Sequence, residues 1–343
     1  MDKFTRTYWI FWLGVLPLVY FRGNIDYEFP KFLVFLAGVN GWGVAYILKT
    51  KKTFFRVENQ IDYLILAMGL VNLISWLVNG LRYNGLVGDI YRYSGLITIG
   101  SMIEWYFLSK QMKLTRDAKN KMIWWLGGGL SLLALKWPLM GNPNFIAAYL
   151  ALLSINSVWS IDKLGAGIIC WLTNSRSAGL AWLISGLMNI NRKLLGLGLV
   201  AGIILIIIFP KKSISHFDNR LTIWSKSTEI IWNKPLWGWG PEGYETGFKS
   251  ILTDKDFDLK NIRVDRAHNI LLDIAVNTGI VGLFIWVGLF YCLFRAGDRD
   301  SQIFLIAFLI ISGLNVININ SWLLFYMTAA RISVGDKLEP TTF

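Results

Sequence analysis

Five side chains stand where this sequence crosses between polar and apolar stretches: Arg92, Arg176, Arg220, Arg266 and His268. The chain has only two histidines, and His268 closes the charged run "RVDRAH" just before an apolar run. An imidazole titrates near neutrality and serves as a general base when neutral. Arginines hold phosphate through charge-assisted, often bidentate, hydrogen bonds. Clustered arginines also disfavour the imidazolium, which keeps a neighbouring histidine neutral. A diphosphate leaving group held by fixed cations needs no metal, because guanidinium groups take up the developing charge. Together these residues propose one site, with His268 catalytic and Arg92, Arg176, Arg220 and Arg266 binding substrate.

Each residue also has a plainer reading. Arg176, in "TNSRSAGLAW", either snorkels to headgroups or faces a watery cavity; its small polar neighbours favour a tight polar turn. Arg220, in "FDNRL", is by default a solvated loop cation. Asp218 and Asn219 are good helix caps, which puts Arg220 in a first helical turn, against the helix dipole. Arg92, in "YRYSGL", fits an aromatic belt with Tyr91 and Tyr93. An interfacial histidine often only satisfies a hydrogen bond, and His216, in "KKSISHF", is the better example of that.

The elements that must carry these residues are membrane helices. More than half of the 343 residues are apolar, 16% are charged, and there are 17 Trp and 21 Phe. The expected fold is all-α: a polytopic bundle of about twelve transmembrane helices, since each span needs about 20 apolar residues and must satisfy its own backbone. Apolar runs lie near 8–21, 31–48, 62–78, 94–109, 122–137, 144–160, 163–174, 177–190, 194–210, 269–294, 302–318 and 321–331. The basic start is followed by an apolar run with no small-residue cleavage site, so it reads as a retained first helix. The segments 163–174 and 177–190 are read as two helices rather than one. That choice puts "KTKKTFFR", "KQMKLTRDAKNK", "NRK" and "RAGDR" on the inside, as the positive-inside rule requires. Both termini are then cytoplasmic. Residues 1–343 form a single domain with one long outer loop, 211–268, which contains a helix ended by Pro235 and followed by the glycine turn "GWGPEGYE". Cys170 and Cys292 lie in apolar segments and suggest neither a disulfide framework nor a metal site.

The sequence lacks a phosphate-binding loop, a dinucleotide glycine fingerprint, a His-Glu-x-x-His pair and a kinase set. No cofactor, metal or nucleic-acid partner is expected. "DKDFD" at 254–258 comes closest to a carboxylate cluster. A lipid-linked polysaccharide flippase or exporter also needs cations for lipid phosphates, but such transporters often carry internal repeats, and none is visible.

"AHNILLDIAVNTGIVGL" resembles the His-Asn-x-x-Leu…Gly-x-x-Gly signature of the O-antigen ligase and polymerase superfamily. "TNSRSAGLAW" resembles its Ser-Arg-small-small segment, and "NRLTIWSKSTEIIWNKPLWGWGPEGY" its Arg…Trp helix followed by Pro-Leu-x-Gly-x-Gly. "MGNPNFIAAYL", "YEFPK" and "YRYSGL" also fit, in family order. The resemblance implies a metal-independent, inverting glycosyltransferase in the bacterial plasma (inner) membrane, with its active site on the outer face. It would move a glycan from an undecaprenyl-diphosphate carrier to a hydroxyl of lipid A core, another lipid-linked glycan or a protein. By motif, His268 matches the histidine that activates the acceptor. Arg176 and Arg220 match arginines that bind the donor diphosphate.

Overall fold

The computed structural model describes residues 3–19, 28–90, 92–112, 143–155, 160–173, 175–190, 214–253 and 263–335. Every regular element among them is a helix. α1 (Lys3–Ile10) runs on through a π turn and a 3-10 turn to Leu18. Then come α2 (Glu28–Thr50), α3 (Gln60–Val78), α4 (Tyr83–Val87), α5 (Leu96–Gln111), α6 (Pro143–Ile155), α7 (Ser160–Leu172) and α8 (Arg176–Ile190). The chain continues as α9 (Ile214–Asn233), α10 (Tyr244–Ile251), α11 (Ile270–Ala296), α12 (Arg299–Leu314) and α13 (Ile319–Val334).

Three helices, α2, α3 and α11, are long and apolar enough to cross a membrane. The expected runs near 122–137 and 194–210 fall outside the described residues. Others form shorter helices: α6 and α7 have 13 residues each, a rise of only about 20 Å against a hydrocarbon core of about 30 Å. α7 and α8 are separate helices. A Cβ on Gly167 would press on the Trp182 ring, while one on Gly179 would lie 3.9 Å from Cys170. Numbers fall along one helix as they rise along the other, so the pair is an antiparallel hairpin with Arg176 opening its second arm.

One joint shapes the region around the candidate site. α11 is broken at Gly279 (φ 67°), and the Pro235–Gly240 segment occupies the break. Ile280 N–H donates to the Pro235 carbonyl at 2.8 Å, and Trp239 N–H to the Val276 carbonyl at 2.8 Å. Gly240 N–H donates to the Asn277 carbonyl at 2.9 Å. Ser75 of α3 adds its hydroxyl to the same carbonyl at 2.7 Å. Gly238 and Gly279 both have positive φ, and a Cβ on either would collide with the other segment's backbone. The glycines are required because two backbones touch there.

α9 corrects one expectation. It starts at Ile214, so residues 218 and 219 lie inside it and Arg220 sits in its second turn. Asp and Asn cost only about 0.7 kcal/mol or less in a helix interior, and the preceding Ile214–Phe217 run carries the helix past them.

Candidate functional site

His268 lies at the junction of α9 and α11, and local chemistry fixes it there. Asn269 is the N-cap of α11, its side chain accepting from the Leu271 N–H at 3.0 Å and from the Leu272 N–H. Ala267 is held at both backbone polar groups. Its N–H donates to Asp273 Oδ1 at 2.7 Å, and its carbonyl accepts from Trp224 Nε1 of α9 at 2.9 Å. With both neighbours pinned, His268 takes a left-handed backbone, φ 57°, a conformation that a non-glycine residue holds only when its surroundings over-determine it.

The imidazole is held neutral. Burial pushes its pKa down to about 4, Arg220 and Arg92 push in the same direction, and Asp265 only partly opposes them. Its Nδ1 is buried and makes no hydrogen bond among the described residues. A base that is neutral at pH 7 meets the first requirement for taking a proton.

Arg220 and Arg176 form one side of this surround. Arg220 Nη1 donates to the carbonyl of Leu314, the last residue of α12, at 2.6 Å. Burial and then the Arg176 charge lower its pKa. No carboxylate pairs with Arg220 among the described residues. Next to Arg176, the Ser175 hydroxyl is buried and makes no hydrogen bond there either. An arginine that no carboxylate reaches among the described residues, with a second guanidinium within electrostatic range, suits an anion's oxygens.

Arg92 and Arg266 form the other side, and they are carboxylate-paired. Arg92 Nε donates to Asp265 Oδ2 at 2.6 Å. Arg266 Nη2 donates to Glu242 Oε1 and, at 2.8 Å, to Ser94 Oγ. Burial alone would raise the Asp265 carboxyl; Arg92 and then Arg266 outweigh it and hold it below the usual range. Further out, Arg263 bridges Asp89 at 2.6 Å and Glu245 at 3.2 Å. These pairs strap the 92–94 turn to the 263–266 segment.

A cavity of about 170 Å³ opens beside the paired side. Arg92, Ser94, Glu242 and Arg266 line it, together with Trp286 and Trp322. An engineered cavity of about 150 Å³ accepts a six-membered ring, so this one has room for a sugar. His268, Arg220 and Arg176 do not line it, although its arginines act electrostatically on His268. The structure therefore brings Arg220 within electrostatic range of both His268 and Arg176, while Arg92 and Arg266 both line the cavity and act on His268. Among the described residues no three His, Cys, Asp or Glu side chains gather as metal ligands.

Sequence reasoning missed Asp265, Glu242, Ser94 and Asp273. Two signals were available. Glu242 is the acid inside the glycine turn, and Asp273 sits five residues beyond the histidine, within reach of the residue preceding it.

The fold and this surround describe a helical protein with three helices long and apolar enough to cross a membrane and a cationic site at the start of one of them. Residues 163–287 match the profile of the family described as O-Antigen ligase. The match includes Arg176, Arg220, Arg266 and His268 and leaves out Arg92. No curated protein matches the chain.

Proposed function

We propose that the protein is an inverting, metal-independent glycosyltransferase that uses a polyprenyl-diphosphate-linked glycan, undecaprenyl diphosphate being the expected carrier. The reaction lies at the outer face of a bacterial plasma membrane. The acceptor hydroxyl belongs to a lipid A core, another lipid-linked glycan or a protein. Its oxygen attacks the anomeric carbon, the bond from that carbon to the diphosphate oxygen breaks, and the hydroxyl proton passes to His268. Arg220 and Arg176, with the Ser175 hydroxyl, hold the departing diphosphate. Arg92 and Arg266, already neutralised by carboxylates, hold the histidine's surround and shape the entrance to the cavity, where a sugar ring sits.

The observation that carries this reading is the neutral His268 beside Arg220, an arginine with no carboxylate partner among the described residues. The test supplies purified protein with a polyprenyl-diphosphate oligosaccharide, candidate acceptors and EDTA. Glycan transfer with release of the lipid diphosphate is expected. Absence of transfer to every acceptor class, with the donor bound, would overturn the reading.

A further inference from the structure

A second group of cations lies away from His268, where α3 ends. Arg82 follows the α3 C-cap Asn79 by three residues, and its carbonyl accepts from Trp76 Nε1 at 2.8 Å. Its Nη1 is buried and makes no hydrogen bond among the described residues. Lys234, just past α9, comes to the same place. Its Nζ donates to Asn79 Oδ1 at 2.6 Å and lies 4.2 Å from the centre of the Trp239 ring. No carboxylate pairs with either cation among the described residues. Burial and then the Arg82 charge push the Lys234 ammonium down, so the two cations sit within electrostatic reach with nothing between them to neutralise the field. Neither is among the groups that act on His268.

The rim of this pair is apolar and uncovered. Trp232 is 78% exposed, Tyr83 73%, Leu236 59% and Leu81 55%. Leu81 also takes a left-handed backbone, φ 56°, which turns an apolar side chain outward at a conformational cost. The patch adjoins the end of α3, a helix that can cross a membrane. An amphipathic rim of Trp, Tyr and Leu around unpaired cations is the composition that suits a membrane–water boundary.

We propose that Arg82 and Lys234 bind the phosphate of an anionic phospholipid headgroup, with Leu81, Tyr83, Trp232 and Leu236 covered by the surrounding lipid. The occupant follows from charge complementarity: two cations without acids take one phosphodiester, and the exposed apolar rim needs a neighbour that brings acyl chains. The consequence reaches the candidate site. Lys234 directly precedes the Pro235–Gly240 segment that fills the break in α11, so a bound lipid holds that joint closed.

The test uses the full chain in detergent and reads the unfolding midpoint on adding phosphatidylglycerol, phosphatidylcholine, inorganic phosphate or a polyprenyl diphosphate. Phosphatidylglycerol should raise the wild-type midpoint by about 2–4 °C, with little effect from phosphatidylcholine or inorganic phosphate. The shift should vanish in Arg82→Gln/Lys234→Gln and largely persist in Arg82→Lys/Lys234→Arg. The polyprenyl diphosphate shift should survive in both, because it arises at Arg220 and Arg176. Should the double Gln variant fail to fold, lipids retained on Lys234→Gln alone are counted by native mass spectrometry, with loss of one anionic lipid expected. An unchanged phosphatidylglycerol shift or lipid count in the Gln variants overturns the proposal. An equal shift from phosphatidylcholine or inorganic phosphate overturns it too. Loss of only the polyprenyl diphosphate shift would reassign the patch to the donor.

Discussion

Two arginine pairs meet near His268, one of them through Arg220 alone, and they are built differently. Arg92 and Arg266 each meet a carboxylate, and that side adds little net charge. Arg220 instead meets a backbone carbonyl and a second arginine. A buried cation whose partner is lost costs several kcal/mol, so the first pair is stable as it stands. Arg220, which no carboxylate reaches among the described residues, keeps its charge on offer. The difference separates a side that holds the histidine in place from a side suited to an anion, although both are built of arginines.

Variants should break the two sides in different ways. His268→Ala should lower transfer by about 10³-fold or more, within the range for loss of a general base, with helical content unchanged. Arg220→Gln should lower kcat/KM by about 10²-fold while shifting the unfolding midpoint little. Glu242→Gln, on the paired side, should do the reverse. It strands the buried Arg266 and should cost roughly 3 kcal/mol of stability in a denaturation experiment, with residual activity in the folded fraction.

The pH dependence sharpens the contrast. A base held down to about 4 gives kcat/KM a flat profile through neutrality and an acid limb near that value. Arg220→Gln removes a like charge, so the limb should move to higher pH; a limb that stays put would detach Arg220 from His268. Unfolding carries the same signature. An unfolded histidine binds its proton near pH 6.5 and folded His268 only near 4, so stability should fall as pH drops between those values and be level above them. The smallest effect belongs to Arg263, 42% exposed in its pairs with Asp89 and Glu245. Arg263→Gln should change stability by about 1 kcal/mol or less.

Much of this was legible from residue types. Charge placement separated α7 from α8, and the hairpin is there. Pro235 ends α9 as its chemistry demands. The arginines and His268 stood out because each is costly beside an apolar run. What separates the two sides was not legible. The Arg92–Asp265 pair closes across 173 positions, and an arginine looks the same in sequence whether or not an acid reaches it. The joint at Gly279 was hidden for a related reason: the glycines of "PLWGWG" read as a turn and that of "VNTG" as part of a span, and only contact between the two shows why both lack a Cβ. The start of α9 was misplaced because Asp and Asn mark caps only on average.

The central claim is that the Arg220 side binds the donor's diphosphate. It is tested most directly by titrating a non-transferable polyprenyl diphosphate into folded wild-type protein, Arg220→Gln and Arg92→Gln. The account predicts that Arg220→Gln weakens binding by about tenfold or more, the equivalent of one charge-assisted hydrogen bond, while Arg92→Gln stays within about threefold of wild type. Equal weakening in the two variants, or undiminished binding in Arg220→Gln, would contradict it.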